Sequence, residues 1–189
     1  MDINELKDIL SREDVIDCIL DPPDELIAAI PEIAPLVGLD QNHPNHQYDA
    51  WGHIAYSVAA ASGDSIVRLT LLFHDIGKGD VLKSGEGGFN FNGHMELGAY
   101  IARKRLTELG ADPATVHLVS ELVGIHDINI EDGEVSGWLE RLGEKNLRRW
   151  FEIKRGDMIA HTDPYRTEML ALVDRNEAEL DQILSGSRT

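Results

Sequence analysis

Read for the period of its apolar positions, the chain is helical nearly throughout, and residues 64–75 give the clearest signal. There Ile66, Val67, Leu69, Leu71, Leu72 and Phe73 leave almost no polar face, the mark of a central, buried helix. This helix runs into His74-Asp75-Ile76-Gly77-Lys78-Gly79, where glycines stop it. A preceding helix, 50–62, carries His53, Ile54, Ser57, Val58 and Ala61 on one face. Helix 94–109 shows Met95, Ala99, Ala102, Leu106 and Leu109 at spacings of four and three, and Gly110 can end it. Asp112-Pro113 then supplies a cap and a first-turn proline for helix 113–126, which aligns Val116, Val119, Val123 and His126. Helix 145–161 puts Trp150, Ile153, Asp157 and Ala160 on one stripe, and a last helix runs from Asp163-Pro164 to about Leu184.

The intervening stretches are polar or punctuated. Residues 1–40 hold short amphipathic segments broken by Pro22-Pro23, Pro31 and Pro35, a helical lead-in rather than a separate domain. A polar loop from Asp40 to Asp49 carries His43 and His46, and a Gly-rich loop spans 79–93. Residues 127–136 form another polar loop, with a small hairpin expected around Asp132-Gly133. The tail, Ser185 to Thr189, is expected to be loose. The fold expected is an all-α, compact bundle in one domain, 1–189, with its chemistry in residues 41–165 and a C-terminal helix and tail over 166–189.

Composition narrows the function. A chain of 189 residues with 42% hydrophobic content can close a core unaided, and Cys18, standing alone, excludes a disulfide framework and a thiolate zinc site. No stretch is apolar enough to span a bilayer, and the acidic start, Met1 to Glu5, lacks the marks of a secretory signal, so a cytoplasmic chain is expected. A formal charge of −17 argues against long nucleic acids as partners. A small phosphorylated substrate fits if metal ions supply local positive charge. The oligomeric state is left open.

Against that background stand His53, the pair His74-Asp75, His94, His126 and Asp157, nearly all on inward-facing stripes. Each has an ordinary explanation alone. His53 and His126 can be hydrogen-bonded core histidines, His94 can merely start its helix, and Asp157 can pair with Arg155 or Lys154. Together, imidazoles and carboxylates arriving inward from several helices read as a divalent-metal site, because buried charge without a partner is costly. Nitrogen and oxygen donors without sulfur favour one or two ions of Mn, Fe, Co or Ni, admit Zn and disfavour Mg.

The chain resembles the HD-domain superfamily of metal-dependent phosphohydrolases in its upstream His53, His74-Asp75-Ile76-Gly77-Lys78 and distant Asp157. Two further histidines of binuclear members are matched by His94 and His126. Pro31-Glu32-Ile33, Gly38, Gln41 and the run from His46 to His53 are similar to the HD domain at the C-terminal side of bacterial tRNA nucleotidyltransferases, over roughly residues 31–165. No nucleotidyltransferase head fits in this length, so CCA addition is not expected. The resemblance implies phosphatase, 2′-nucleotidase or 2′,3′-cyclic phosphodiesterase activity on a nucleotide-sized substrate. It implies one ion at His53, His74, Asp75 and Asp157 and a second at Asp75, His94 and His126, readying a water to attack phosphorus. Asp75 and Lys78 are then the catalytic residues. Lys78, His46 and Lys83 are the substrate-binding candidates, with His46, ahead of His43, the best proton donor and Lys83 with Gly85–Gly88 a covering lid. His161 and the pair His117–Glu121 read as peripheral. Two other functions use the same residues: a di-iron oxygenase, and a regulatory module that binds nucleotide without turnover.

Overall fold

A computed structural model of the chain describes residues 1–81, 83–85 and 88–186, with only the backbone of 83–85 and 88–90. The bundle is helical apart from one short hairpin. The first helices are α1 (Ile3–Ser11), α2 (Val15–Ile19), α3 (Asp24–Ala29) and α4 (Ala50–Ala60), with a 3₁₀ turn at Pro31–Leu36. Next come α5 (Ser65–Phe73), α6 (Lys78–Val81) and strands β1 (Lys83–Gly85) and β2 (Gly88–Asn90). The chain closes with α7 (His94–Glu108), α8 (Pro113–Val123), α9 (Val135–Ile159) and α10 (Tyr165–Gly186).

Helix α5 lies at the centre. Every residue from Ile66 to Phe73 is buried, and the helix packs against α4, α8 and α9. The Asp64 carboxylate caps it, accepting from the Ile66 and Val67 N–H groups at 2.8 and 3.3 Å. The other Asp64 oxygen pairs with Arg149 of α9 at 2.9 Å, so one side chain both starts the central helix and ties it to a neighbour. Asp49 does the same for α4, capping Gly52 N–H at 2.6 Å and accepting from Gly38 N–H at 2.6 Å.

The N-terminal segments are structural rather than appended. Leu6, Leu10, Ile19, Leu26, Ile30, Ile33 and Leu36 all sit in the core. The Trp51 indole N–H donates to Ile19 O at 2.9 Å, joining α2 to α4. The buried Arg68 guanidinium donates to Leu10 O, to Arg12 O at 3.1 Å and to Ser62 O at 2.8 Å, joining the end of α1 to α5. An apolar period does not reveal such a cation.

Several boundaries and one buried face differ from the sequence reading. The expected loop 79–93 contains α6 and the β1–β2 hairpin, paired from Lys83↔Asn90 to Gly85↔Gly88. Asp132-Gly133 forms a turn into α9, with no strand there among the described residues. Helix α9 starts at Val135, and Gly143, at φ 72° and ψ 159°, bends it into two segments. Only the second segment carries the Trp150–Asp157 stripe. On α7 the buried positions are Gly98, Ile101, Ala102 and Leu106, while Met95 and Ala99 are half-buried. Of the expected loose tail, Ser185 and Gly186 finish α10 and residues 187–189 lie outside the described residues.

Candidate metal centre

Three helices end where the chemistry gathers. His74 is the C-cap of α5, Asp75 lies in the turn after it, His126 follows the end of α8 and Asp157 stands in the last turn of α9. His53 projects from the first turn of α4, and His94 opens α7. Helix C-termini present unpaired carbonyls and the negative end of the backbone dipole, a setting that favours cations.

Those carbonyls fix the imidazoles. His74 Nδ1 lies 2.7 Å from Leu71 O, His126 Nδ1 2.8 Å from Val123 O and His94 Nδ1 3.0 Å from Phe91 O. A carbonyl only accepts, so each Nδ1 carries the proton and each Nε2 turns its remaining valence toward the centre. His74 Nε2 is buried with no hydrogen-bond partner.

Two carboxylates receive these nitrogens. Asp75 Oδ2 lies 3.5 Å from His53 Nε2 and 3.4 Å from His74 Nε2. Its Oδ1 lies 3.5 Å from His94 Nε2 and 3.7 Å from His126 Nε2. Asp157 Oδ1 is 2.9 Å from His53 Nε2 and 3.7 Å from His74 Nε2. Two donor sets result, His53–His74–Asp157 and Asp75–His94–His126, and Asp75 turns one oxygen to each.

The spacings fit ions. Imidazole and carboxylate donors bind zinc-like divalent metals at about 2.1 Å, which puts neighbouring donors on one ion roughly 3.0–3.4 Å apart. Most of the nitrogen–oxygen separations lie at or just above that range and are longer than strong charge-assisted hydrogen bonds. A bare Nε2 lone pair facing a carboxylate oxygen is repulsive until a cation comes between them. The orphaned Nε2 of His74 is the plainest mark of it.

The electrostatics agree. Burial alone would raise the Asp75 carboxyl, but Lys78, His74, His126 and His53 outweigh it and hold Asp75 well below the usual carboxylate range. Burial opposes ionisation of Asp157 too, and the adjoining imidazoles of His161, His53 and His74 overcome it and hold the carboxyl well below the usual range. Both groups are anions throughout the physiological range. Burial lowers His53 and His94, whereas for His74 the two carboxylates outweigh burial and raise it.

Above the carboxylates opens a cleft of about 260 Å³. Its walls include Asp75, Lys78, His94, His126 and Asp157 within, and His46, Phe91 and Tyr165 nearer solvent. Lys78 is buried rather than free in the cleft, its Nζ 2.6 Å from Asp75 Oδ2 and 2.7 Å from Gln41 Oε1. An ammonium has three donors, so one remains after these two bonds. His46 lines the cleft, but burial pushes it down to about 2, leaving a neutral ring rather than a charged proton donor. The exposed His43 also faces the cleft, and the Lys83 side chain and residues 86–87 lie outside the described residues.

The alternative pairings do not form. Arg155 pairs with Asp174 and Glu177, Lys154 is buried against the Trp150 ring, and Glu121 pairs with Arg141 rather than His117. The sequence reading missed three participants. His161 is buried with Nε2 3.3 Å from Asp157 Oδ1, Gln41 grips Lys78, and Tyr165, pushed up to about 12 by burial, keeps its proton at the cleft. Only the i,i+4 spacing of Asp157 and His161 offered a signal; Gln41 and Tyr165 meet the site through tertiary contacts.

A family model described as HD domain matches residues 51–149, just over half of the chain. A CC-adding tRNA nucleotidyltransferase from Thermus thermophilus is 35% identical over 139 residues, covering 69% of this chain. The chain spans only 29% of the length of that relative.

Proposed function

The chain belongs to the HD-domain family, a superfamily of metal-dependent phosphohydrolases, and we propose that it hydrolyses a phosphomonoester or phosphodiester of nucleotide size. The observation that carries this reading is the convergence of His53, His74, His94 and His126 on Asp75 and Asp157 at the floor of an open cleft. His53, His74, Asp75 and Asp157 would hold one divalent ion, and Asp75, His94 and His126 a second. Bound there, such ions supply Lewis acidity, making water nucleophilic near neutral pH and neutralising phosphate oxygens. Mn, Fe, Co or Ni suit the donors best, with Zn admitted.

The chain's own groups do the rest. Asp75 keeps the two donor sets in register by offering one oxygen to each. Main-chain carbonyls hold His74, His94 and His126 in one tautomer, so no reorganisation is needed as charge develops. Lys78, anchored by Asp75 and Gln41, turns its third N–H to a phosphate oxygen. Tyr165, protonated at the rim, donates to the leaving oxygen in place of the neutral His46. A cleft of about 260 Å³ takes a mononucleotide rather than a polymer. The formal charge of −17 points the same way.

Metal-loaded protein should hydrolyse bis-p-nitrophenyl phosphate or a 2′,3′-cyclic nucleotide with Mn²⁺ or Ni²⁺, and Asp75→Ala should abolish turnover. No turnover across a broad phosphoester panel would overturn the proposal. Oxygen uptake by an iron-loaded form without phosphate release would identify an oxygenase instead.

A further inference from the structure

His46, His53 and His161 form a third cluster whose donor atoms all lie within 4.8 Å of one another. Their rings pack face to edge or tilted, with centroids 4.5 Å apart for His46–His161, 4.9 Å for His53–His161 and 5.1 Å for His46–His53. We propose that His46 and His161, with Asp157 beside them, form a further cation subsite at the wall of the cleft, taking a borderline divalent ion such as Zn²⁺, Co²⁺ or Ni²⁺.

Hydrogen-bond direction fixes the His161 tautomer as it does those of the inner site. His161 Nδ1 meets Asn45 O at 3.1 Å and therefore carries the proton. Its Nε2 then turns a lone pair toward Asp157 Oδ1 at 3.3 Å, a contact that a cation relieves. His46 Nδ1 is likewise buried with no hydrogen-bond partner. Unpaired buried nitrogens are uncommon, and one beside the lone pair of His161 marks a place built for something both can bind.

The loop bearing His46 is fixed. A backbone bridge joins His46 to His161, Thr162 N–H donates to Asn45 O at 2.9 Å and the Thr162 hydroxyl donates to Pro44 O at 2.8 Å. These bonds hold the ring against swinging out to recover hydration, so its orphaned nitrogen is a property of the fold.

His46 and His161 supply donors that neither inner set uses, and both line the cleft. Asp157 is where this subsite touches the inner one, and the His53 ring, whose Nε2 belongs to the inner set, packs between the two. An imidazole-rich set selects borderline ions over Mg²⁺ or Ca²⁺. A phosphate anion gains little from uncharged rings beside two carboxylates. The proposal rests on the reading above only in assuming that ions also fill the inner sets.

Equilibrium dialysis of the metal-stripped full chain against Co²⁺ counts the ions. The wild type should bind about three per chain, and the His46→Gln/His161→Gln double variant about two. Equal counts near two in both proteins would overturn this inference and leave the phosphohydrolase reading standing, whereas a wild type that binds none would overturn both. Wild-type protein with ¹⁵N-labelled imidazoles gives a second measurement if the variant does not fold. Zn²⁺ added beyond two equivalents should shift His46 and His161, and resonances that stay still at that stage overturn the subsite.

Discussion

One carboxylate, Asp75, determines whether the six predicted ligands make one site or two unrelated clusters. Its oxygens face opposite ways, and Lys78 at 2.6 Å balances its charge without displacing any histidine. Gln41 sets that balance by holding Lys78 from the other side. Gln41→Ala frees Lys78 to collapse onto Asp75, and kcat should fall about tenfold with protein stability little changed, the scale of a lost outer-shell partner. Steady-state kinetics beside a thermal melt checks this. Which residues converge was legible where a motif or stripe exposed them, as with His53, His74, Asp75 and Asp157. For His161 only the i,i+4 spacing from Asp157 hinted at it, and nothing did for Gln41 and Tyr165, which meet the site through the way loop 40–49 and the start of α10 come together with it.

Among elements, the close approaches are made by glycines. A Cβ on Gly77 would stand 2.5 Å from His94 O and 3.0 Å from Gly98 N, so the turn after Asp75 touches the first turn of α7 directly. This contact sets the distance between Asp75 and His94. Gly77→Ala should therefore push α7 outward, destabilising the fold by about 1–3 kcal/mol and weakening the Asp75–His94–His126 ion more than the other. Denaturant melts and metal titration of the variant test both parts. Equal weakening of the two ions would refute the role given to this contact. Helices α5, α7 and α8 were readable because each carries a local signal: the apolar run from Ile66 to Phe73, Gly110 after α7, and the Asp112-Pro113 start. The first segment of α9 was not, since Gly143 breaks its period and the kink depends on tertiary packing.

Taken whole, the molecule gathers buried imidazoles and carboxylates inside a strongly acidic chain, and its stability must follow their protonation. Asp75 and Asp157 have folded pKa values below their unfolded ones, so their contribution is present above about pH 4 and lost as pH falls further. His46, His53 and His94 are also lowered, so the unfolded chain takes up protons first, below about pH 6.5. His74, raised in the fold, opposes this in part. Metal-free protein should therefore lose thermal stability steadily from about pH 7 to pH 5, with His46→Asn flattening the slope; a flat profile for the wild type would contradict the burial of these rings. Among the described residues no helix is long and apolar enough to cross a membrane.

Asp75 joins the two donor sets in one centre. Electron paramagnetic resonance of the Mn²⁺-loaded chain reads that directly. At full loading the wild type should show the signal of an exchange-coupled Mn²⁺ pair, and Asp75→Asn should lose the coupling. A wild-type spectrum of isolated Mn²⁺ ions only, or no bound Mn²⁺ at all, would contradict the account.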